Sequence, residues 1–362
     1  MTAPTNDYIA GELNRATSVN FHLLPLAPWL AEPAMTEVCV NRPQEVFCER
    51  AGQWERHEVP ALTFEHLTAL ATATARFTAD DISDTKPLLS ATLPGGERIQ
   101  LVLPPACEHE TVSVTIRQPA RSLWTLEDFE RQGLFAGIRP LPGDLTPDER
   151  DLQALAANGR YLQFLRRAVQ TGKVIVVVGE TGSGKTTFMK ALVQEIAASL
   201  RLITIEDVPE LSLPNHPNHV HLFYPSEAKE EENAPVTAAS LLRSCLRMKP
   251  DRILLAELRG GEAFDFLNVA ASGHAGSLTS CHAGSADLAF ERLALMVLQN
   301  RQGRMLPYAV IRRLLSLVVD VVVHLHNDTA GGHGRQLTAL WYDPRAKRDP
   351  ATLAALEAVR RP

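Results

Sequence analysis

No stretch of this chain approaches the roughly 18 uninterrupted apolar residues of a membrane-spanning helix, and the first residues lack the basic-then-apolar order of a secretory leader. Both absences lead to the expectation of a protein made and kept in the cytoplasm, with any membrane attachment indirect. Positive charge is not in excess: 36 Lys and Arg stand against 42 Asp and Glu, a net charge of −6. That balance argues against a broad nucleic-acid-binding or basic membrane-binding surface and leaves room for a local basic patch. Aromatic residues are scarce at 6%, with no basic-aromatic stripe of the kind on which bases stack. The five cysteines, Cys39, Cys48, Cys107, Cys245 and Cys281, are scattered and form no C-x-x-C. Reduced thiols are expected, not a disulfide framework or a zinc site.

What is present centres on Val174-Ile-Val-Val-Val178 and the run Gly179-Glu180-Thr181-Gly182-Ser183-Gly184-Lys185-Thr186, followed by Thr187. Five β-branched residues predict a buried strand, and helical spacing runs from Lys185 to Ala197. Strand, Gly-rich loop and helix are the context that the pattern G-x-x-x-x-G-K-[ST] requires to be a P-loop. Gly179, Gly182 and Gly184 let successive N–H groups surround one phosphate, and the helix N-terminus adds its positive dipole end. Lys185 would reach the β- and γ-phosphates, and the Thr186 hydroxyl would ligate Mg²⁺.

At 362 residues the chain has room for two or three domains. Residues 1–20 are polar and irregular and predict a loose, flexible arm. From 21 to 118, alternating segments at 36–40, 45–49, 54–59, 88–93, 98–103 and 111–117, with one helix over 63–79 capped by Thr63, predict a small α+β domain. Residues 119–147, rich in proline and glycine with one short helix near 126–132, predict a linker. Thr146-Pro147 then opens a helix running to about Gln170, interrupted near Asn158-Gly159. From 148 to 362, strands and helices alternate as in an α/β sheet covered on both faces. The charge run at 227–233 predicts a solvated loop.

Further acids and histidines follow the P-loop. Arg252-Ile-Leu-Leu-Ala-Glu257 is an apolar strand ending in an acid, which could hold Mg²⁺ directly or through water, or could simply be a strand's solvent end. Thr204-Ile-Glu-Asp-Val-Pro-Glu-Leu211 gathers Glu206, Asp207 and Glu210, able to polarise an attacking water or to be a solvated turn. Around His274 and His282 the residues are small; Gly273 and Gly276 would let the backbone approach something closely, and either histidine could sense a γ-phosphate. His216, His219 and His221 lie in a proline-broken polar turn, a poor metal site.

Gly179–Thr186, Thr204–Leu211, Arg252–Arg259 and Gly273–Ala283 together resemble the Walker A, Asp box, Walker B and His box of secretion ATPases. Within them the chain most resembles the ring-forming traffic ATPase of type IV secretion systems. The runs at 246–253, 257–263 and 276–280, with Gly96-Glu-Arg98 and Thr115-Ile-Arg-Gln-Pro119, extend the likeness over roughly residues 20 to 343. Ala275 stands where that family often has proline, and Ala256 where glycine is common.

The resemblance implies a RecA-like P-loop domain preceded by a smaller α+β domain, in a homohexamer that hydrolyses ATP with Mg²⁺ between its two domains. It implies a place at the cytoplasmic face of a bacterial inner membrane, with components of the secretion channel, its other ATPases included, as partners. No sequence-specific nucleic-acid binding is implied. Lys185 and Thr186 carry over as phosphate and Mg²⁺ ligands. Glu206 is assigned to orienting the attacking water and Glu257 to the Mg²⁺ shell, two roles that could be exchanged. His274 and His282 would link γ-phosphate occupancy to neighbouring groups. Arg98 and Arg117 match arginines that approach the γ-phosphate, and Arg243 and Arg247 are candidates for a subunit contact. The rivals are the related ATPases of type II secretion and type IV pili, a nucleic-acid motor on the same core, and a scaffold that binds ATP without hydrolysing it.

Overall fold

The structure, a computed structural model, describes residues 6–119, 123–138, 145–226, 234–329 and 331–348, with side chains from residue 15 onward. In chain order come α1 (Asn6–Leu23), α2 (Ala27–Leu30), β1 (Met35–Val40), β2 (Glu45–Arg50), β3 (Gln53–Glu58), α3 (Phe64–Phe77), β4 (Leu88–Thr92), β5 (Arg98–Val102) and β6 (Ser113–Arg117). There follow α4 (Leu126–Arg131), α5 (Pro147–Ala157), α6 (Tyr161–Gln170), β7 (Ile175–Gly179), α7 (Lys185–Val193), β8 (Leu202–Glu206), β9 (His219–Phe223) and α8 (Ala238–Cys245). The last elements are β10 (Arg252–Leu258), α9 (Glu262–Ala271), β11 (Leu278–Cys281), α10 (Ala286–Gln299), α11 (Tyr308–Val318), β12 (Val321–Asp328) and β13 (Gly334–Tyr342). The described residues fall into two compact units. One takes those within Met1–Ser122, Arg201–Pro209 and Asn218–Pro250, the other those within Leu123–Leu200, Glu210–Pro217 and Asp251–Pro362.

In the first unit six strands pair in the order β3-β2-β1-β6-β5-β4, antiparallel throughout. Period-two alternation turns Val38, Leu101 and Ile116 into a core that also takes Val19 and Leu23 of α1 and Leu67 and Leu70 of α3. Thr63 caps α3 as expected, its side chain accepting the His66 N–H at 3.2 Å. The loose arm expected up to residue 20 is corrected from Asn6 onward, where the chain is helical. Val19 and Leu23, one helical turn apart, are buried, and this burial outweighs the polar background of the segment. Residues 1–5 lie outside the described ones, as do the 227–233 charge run, parts of the 119–147 linker and the last residues from 349.

The expected serial division, with everything from 148 in one domain, does not describe this partition. The segment holding β8, β9 and α8 joins the first unit through long-range bonds that no local pattern announces. Arg201 is fully buried there; its Nη1 donates to Asn41 Oδ1 and Asn218 Oδ1, both at 2.6 Å, and its Nε to the Met248 carbonyl at 3.0 Å. Gln100 Nε2 reaches Ser244 Oγ at 2.9 Å, and Lys249 pairs with Glu49 at 2.9 Å.

In the second unit the strand order is β13-β12-β7-β11-β10, with β10, β11, β7 and β12 parallel and β13 antiparallel at the edge. A parallel arrangement gathers Gly179, Leu258 and Cys281, the carboxyl ends of β7, β10 and β11, along one edge, with Leu325 of β12 beside Gly179. That edge is where open α/β sheets bind ligands. All five cysteines are free and buried.

Candidate nucleotide site

Ile175 to Val178 are buried on both faces, so β7 is rigid up to Gly179. A Cβ at Gly179 would lie 2.3 Å from the Leu325 carbonyl oxygen and 2.6 Å from Ser183 Oγ, so only glycine fits. Gly182 (φ 80°) and Gly184 (φ 92°) take left-handed angles, the second immediately before α7. Ser183 closes the loop with its N–H and its hydroxyl, both donating to the Glu180 carbonyl at 3.2 and 2.8 Å. Glu180, Thr181, Gly182 and Thr187 are exposed and Thr186 is half-buried in the first turn of α7. The result is an anion cradle of backbone N–H groups at a helix N-terminus.

Lys185 is buried, and its ammonium donates to the carbonyls of Gly179 and Glu180 at 3.0 and 3.1 Å. Burial holds its pKa below the usual lysine value, with Glu257 working in the opposite sense. The same ammonium lies 3.4 Å from His282 Nδ1, and His282 Nε2 lies 2.9 Å from Glu257 Oε1. An ammonium can only donate, so the network assigns the acceptor role to Nδ1 and leaves Nε2–H to donate to the carboxylate. Arg259 Nε bonds the other Glu257 oxygen. Glu257 sits where the β10–β11 register shifts between Leu255 and Leu258, and Ser280 Oγ donates to the Ala256 carbonyl across that irregularity at 2.8 Å.

The two histidines separate. His282 follows β11 and joins the lysine and the acid, whereas His274 precedes β11 and lies at the other end of it. Four strand residues at about 3.3 Å each put about 13 Å between those ends. Within this unit His282 thus stands with Lys185 and Glu257, and His274 does not. Its ring nitrogen Nδ1 is 3.2 Å from the Val269 carbonyl, and its own carbonyl accepts from Ser277 Oγ at 2.8 Å. What Gly276 admits is the Arg252 side chain, whose Nε would stand 2.3 Å from a Cβ there.

Of the other expected residues, Glu206, Asp207, Arg98, Arg117, Arg243, Arg247, His219 and His221 lie in the first unit, and Glu210 and His216 in the second. Glu206, at the end of β8, is fully buried; Thr204 Oγ1 donates to its Oε1 at 2.7 Å and His221 Nδ1 stands 3.4 Å from the same oxygen. Thr204 Oγ1 and His221 Nδ1 are 2.8 Å apart, so the hydroxyl that donates to the acid accepts from the ring. His219 contacts Arg42 at 2.9 Å and His216 the Ile196 carbonyl at 3.1 Å. Among the described residues no group of three or more His, Cys, Asp or Glu is placed to hold a metal ion. Arg98 and Arg117 are directly opposite each other on β5 and β6, and both line a cavity of about 600 Å³ with Asp80, Thr92 and Arg247. Arg247 thus stands with these arginines, while Arg243 is exposed on α8.

Sequence reasoning missed Glu37, the register partner of Arg117 on β1. It is 3% exposed, its Oε1 lies 3.6 Å from Arg117 Nε and its Oε2 has no hydrogen-bond partner. Burial pushes its pKa up to about 7 from 4.5, with Arg117 working against the rise. Between those values the folded state binds more protons than the unfolded, so stability falls as pH rises through the window and stays low above it. Glu37→Gln is expected to raise the unfolding free energy by about 3 kcal/mol at pH 8 and to change little at pH 4. Denaturant titrations at the two pH values check this, and an equal effect at both would refute it. Also missed were His326, Asn327 and Arg335 of β12 and β13, which stand against the P-loop; an alternating edge hairpin carries no motif that marks them.

A strand-borne cradle, a lysine whose ammonium can only donate and an acid reached through a histidine make the second unit a P-loop ATPase of RecA-like fold. The family model described as "Type II/IV secretion system protein" matches residues 22–329, and the chain belongs to that family. It is 69% identical over 351 residues to the type IV secretion system protein VirB11 of Brucella suis biovar 1 (strain 1330), covering 96% of this chain and 97% of that one. It is 50% identical over 329 residues to the type IV secretion system protein PtlH of Bordetella pertussis (strain Tohama I), covering 91% and 96%. The crystal structure of the VirB11 ATPase from the Brucella suis type IV secretion system, in complex with sulphate, superposes with a TM-score of 0.89 at 67% identity, covering 95% of this chain and 99% of that one. Its branch of the family is the type IV secretion traffic ATPases.

Proposed function

We propose that this chain is the homohexameric, Mg²⁺-dependent ATPase that energises pilus assembly and the export of protein or DNA–protein substrates by a type IV secretion system. It would work at the cytoplasmic face of the inner membrane, docked on components of the channel and its other ATPases. Among the described residues no helix is long and apolar enough to cross a membrane. The observation that carries the reading is the chain of contacts from Lys185 through His282 to Glu257 at the mouth of the phosphate cradle.

Lys185 is held by two backbone carbonyls that are weaker partners than phosphate oxygens, so a bound triphosphate draws it off them. His282 then loses its ammonium donor, and the change passes to Glu257 through a single 2.9 Å contact. The Thr186 hydroxyl and the Glu257 carboxylate are hard oxygen donors and suit Mg²⁺, which when bound neutralises charge on the β- and γ-phosphate oxygens. Glu206, its carboxylate fixed by Thr204 and His221, orients the attacking water. Arg98 and Arg117 meet the charge that builds on the transferred phosphoryl group, and closing to deliver them is the mechanical stroke.

Paired amide variants test the division of labour between the acids. Glu206→Gln is expected to lower kcat by about 100-fold or more with an unchanged Mg²⁺ requirement, whereas Glu257→Gln is expected to raise the Mg²⁺ concentration for half-maximal turnover. The reversed pattern would exchange the roles, and full activity in both variants would remove the two acids from the mechanism.

A further inference from the structure

β12 and β13 run past the point where β7 ends. Gly179 pairs with Leu325, but β12 continues to Asp328 and β13 begins at Gly334, with Asn327 opposite Arg335. The overhanging end rests on the phosphate loop at three places. Asn327 Nδ2 donates to the Gly182 carbonyl at 3.5 Å, His326 Nδ1 stands 4.0 Å from Glu180 Oε2, and Arg335 lies over Gly184. The last approach is close: a Cβ on Gly184 would meet Arg335 Cδ at 3.0 Å, Nε at 3.3 Å and Cζ at 3.6 Å.

The charge of Arg335 has no use in the fold itself. The side chain belongs to an exposed residue, and among the described residues it makes no ion pair. The acid nearest to it along the hairpin, Asp328, is taken by His333 at 2.8 Å and by the Gly331 N–H at 2.7 Å. Instead the guanidinium stands beside Gly184, the residue immediately before α7, at the positive end of that helix. Two positive ends side by side are unfavourable unless an anion lies between them. The strand order gives the direction of approach. β11 and β12 flank β7 on opposite sides, so Lys185, His282 and Glu257 address one side of the loop and Arg335 the other. The side holding the lysine, histidine and acid takes the terminal phosphate, which leaves Arg335 the phosphates that are not transferred.

We propose that Arg335 is a nucleotide-binding residue that grips the α- and β-phosphates, the part that ATP and ADP share. The proposal rests on the P-loop reading of the site. Arg335 thereby sets how tightly substrate and product are held and leaves the chemical step to the other side of the loop.

The test uses the full-length protein and four forms: wild type, Arg335→Ala, Arg335→Lys and, as a reference, Lys185→Ala. Steady-state kinetics give kcat and KM for ATP, and titration calorimetry gives Kd for ADP. Arg335→Ala is expected to raise KM for ATP and Kd for ADP by a similar factor, about tenfold, with kcat within threefold of wild type and an unchanged melting temperature in the absence of nucleotide. Arg335→Lys, which keeps the charge and loses the fork, should recover part of the loss and serves as the second variant if alanine impairs folding. Unchanged KM and Kd in Arg335→Ala would overturn the proposal, and so would a fall in kcat alone, which would place the residue on the transferred phosphoryl group. If Lys185→Ala also bound ATP and ADP as wild type does, the P-loop reading itself would fail. Loss of binding in Lys185→Ala alone would sink only the role given to Arg335.

Discussion

Lys185→Ala is expected to reduce ATP turnover about 1,000-fold while the protein stays folded. The ammonium is the one cationic side chain within Gly179–Thr186, and it is positioned to meet charge on the β- and γ-phosphates. A thousandfold loss corresponds to about 4 kcal/mol of transition-state stabilisation, a fair measure for a charge-assisted contact in a water-poor site. The fold should tolerate the change. The lysine's hydrogen bonds go to two carbonyls, and burial already disfavours its charged form, so removing it relieves a desolvation cost as it deletes those bonds. Turnover measured beside a thermal melt checks both halves. Activity above a tenth of wild type with an intact melt would contradict the role given to the lysine.

Arg117→Ala is expected to lower kcat by about 100- to 1,000-fold and to leave ADP affinity nearly unchanged. Arginines that stabilise a transferred phosphoryl group commonly contribute effects of that size or larger. Like charges directly opposite on neighbouring strands repel, yet Arg98 and Arg117 face each other across β5 and β6 beside a cavity that also holds Arg247. Buried Glu37 offsets only part of this, since its own burial is costly. An arrangement that costs the isolated fold free energy on both counts is explained by an anion that visits it. Kinetics with ATP and calorimetry with ADP separate the outcomes. A kcat within threefold of wild type would make the pair structural, and a parallel loss of ADP binding would place Arg117 on the shared phosphates.

The parts of the molecule legible in the sequence were those that local rules govern. The apolar β7 run, the three loop glycines, the Thr63 cap, the helix opened by Thr146-Pro147 and the alternating segments that form β4 and β5 each follow from steric or hydrogen-bonding demands met within a few residues. The Glu257 carboxylate was legible as the acid at a strand's carboxyl end. The arm that is in fact α1 was not, because its helix depends on burying Val19 and Leu23 against residues far along the chain. Arg201 joins Asn41, Asn218 and Met248 across as many as 160 positions, and no spacing rule announces such a junction. His274 and His282 looked alike because both are surrounded by small residues. Strand direction distinguishes them, since β11 carries one to the phosphate edge and leaves the other at its far end. Arg335 was invisible for a related reason: its meaning comes from how far a hairpin overhangs its neighbour.

ATP hydrolysis per subunit, followed as protein concentration rises with particle mass determined in parallel, bears most directly on the motor reading. Mg²⁺-dependent turnover that climbs as hexamers form, with no need for nucleic acid, is the predicted result. Turnover confined to monomers, or appearing only when DNA or RNA is added, would contradict it.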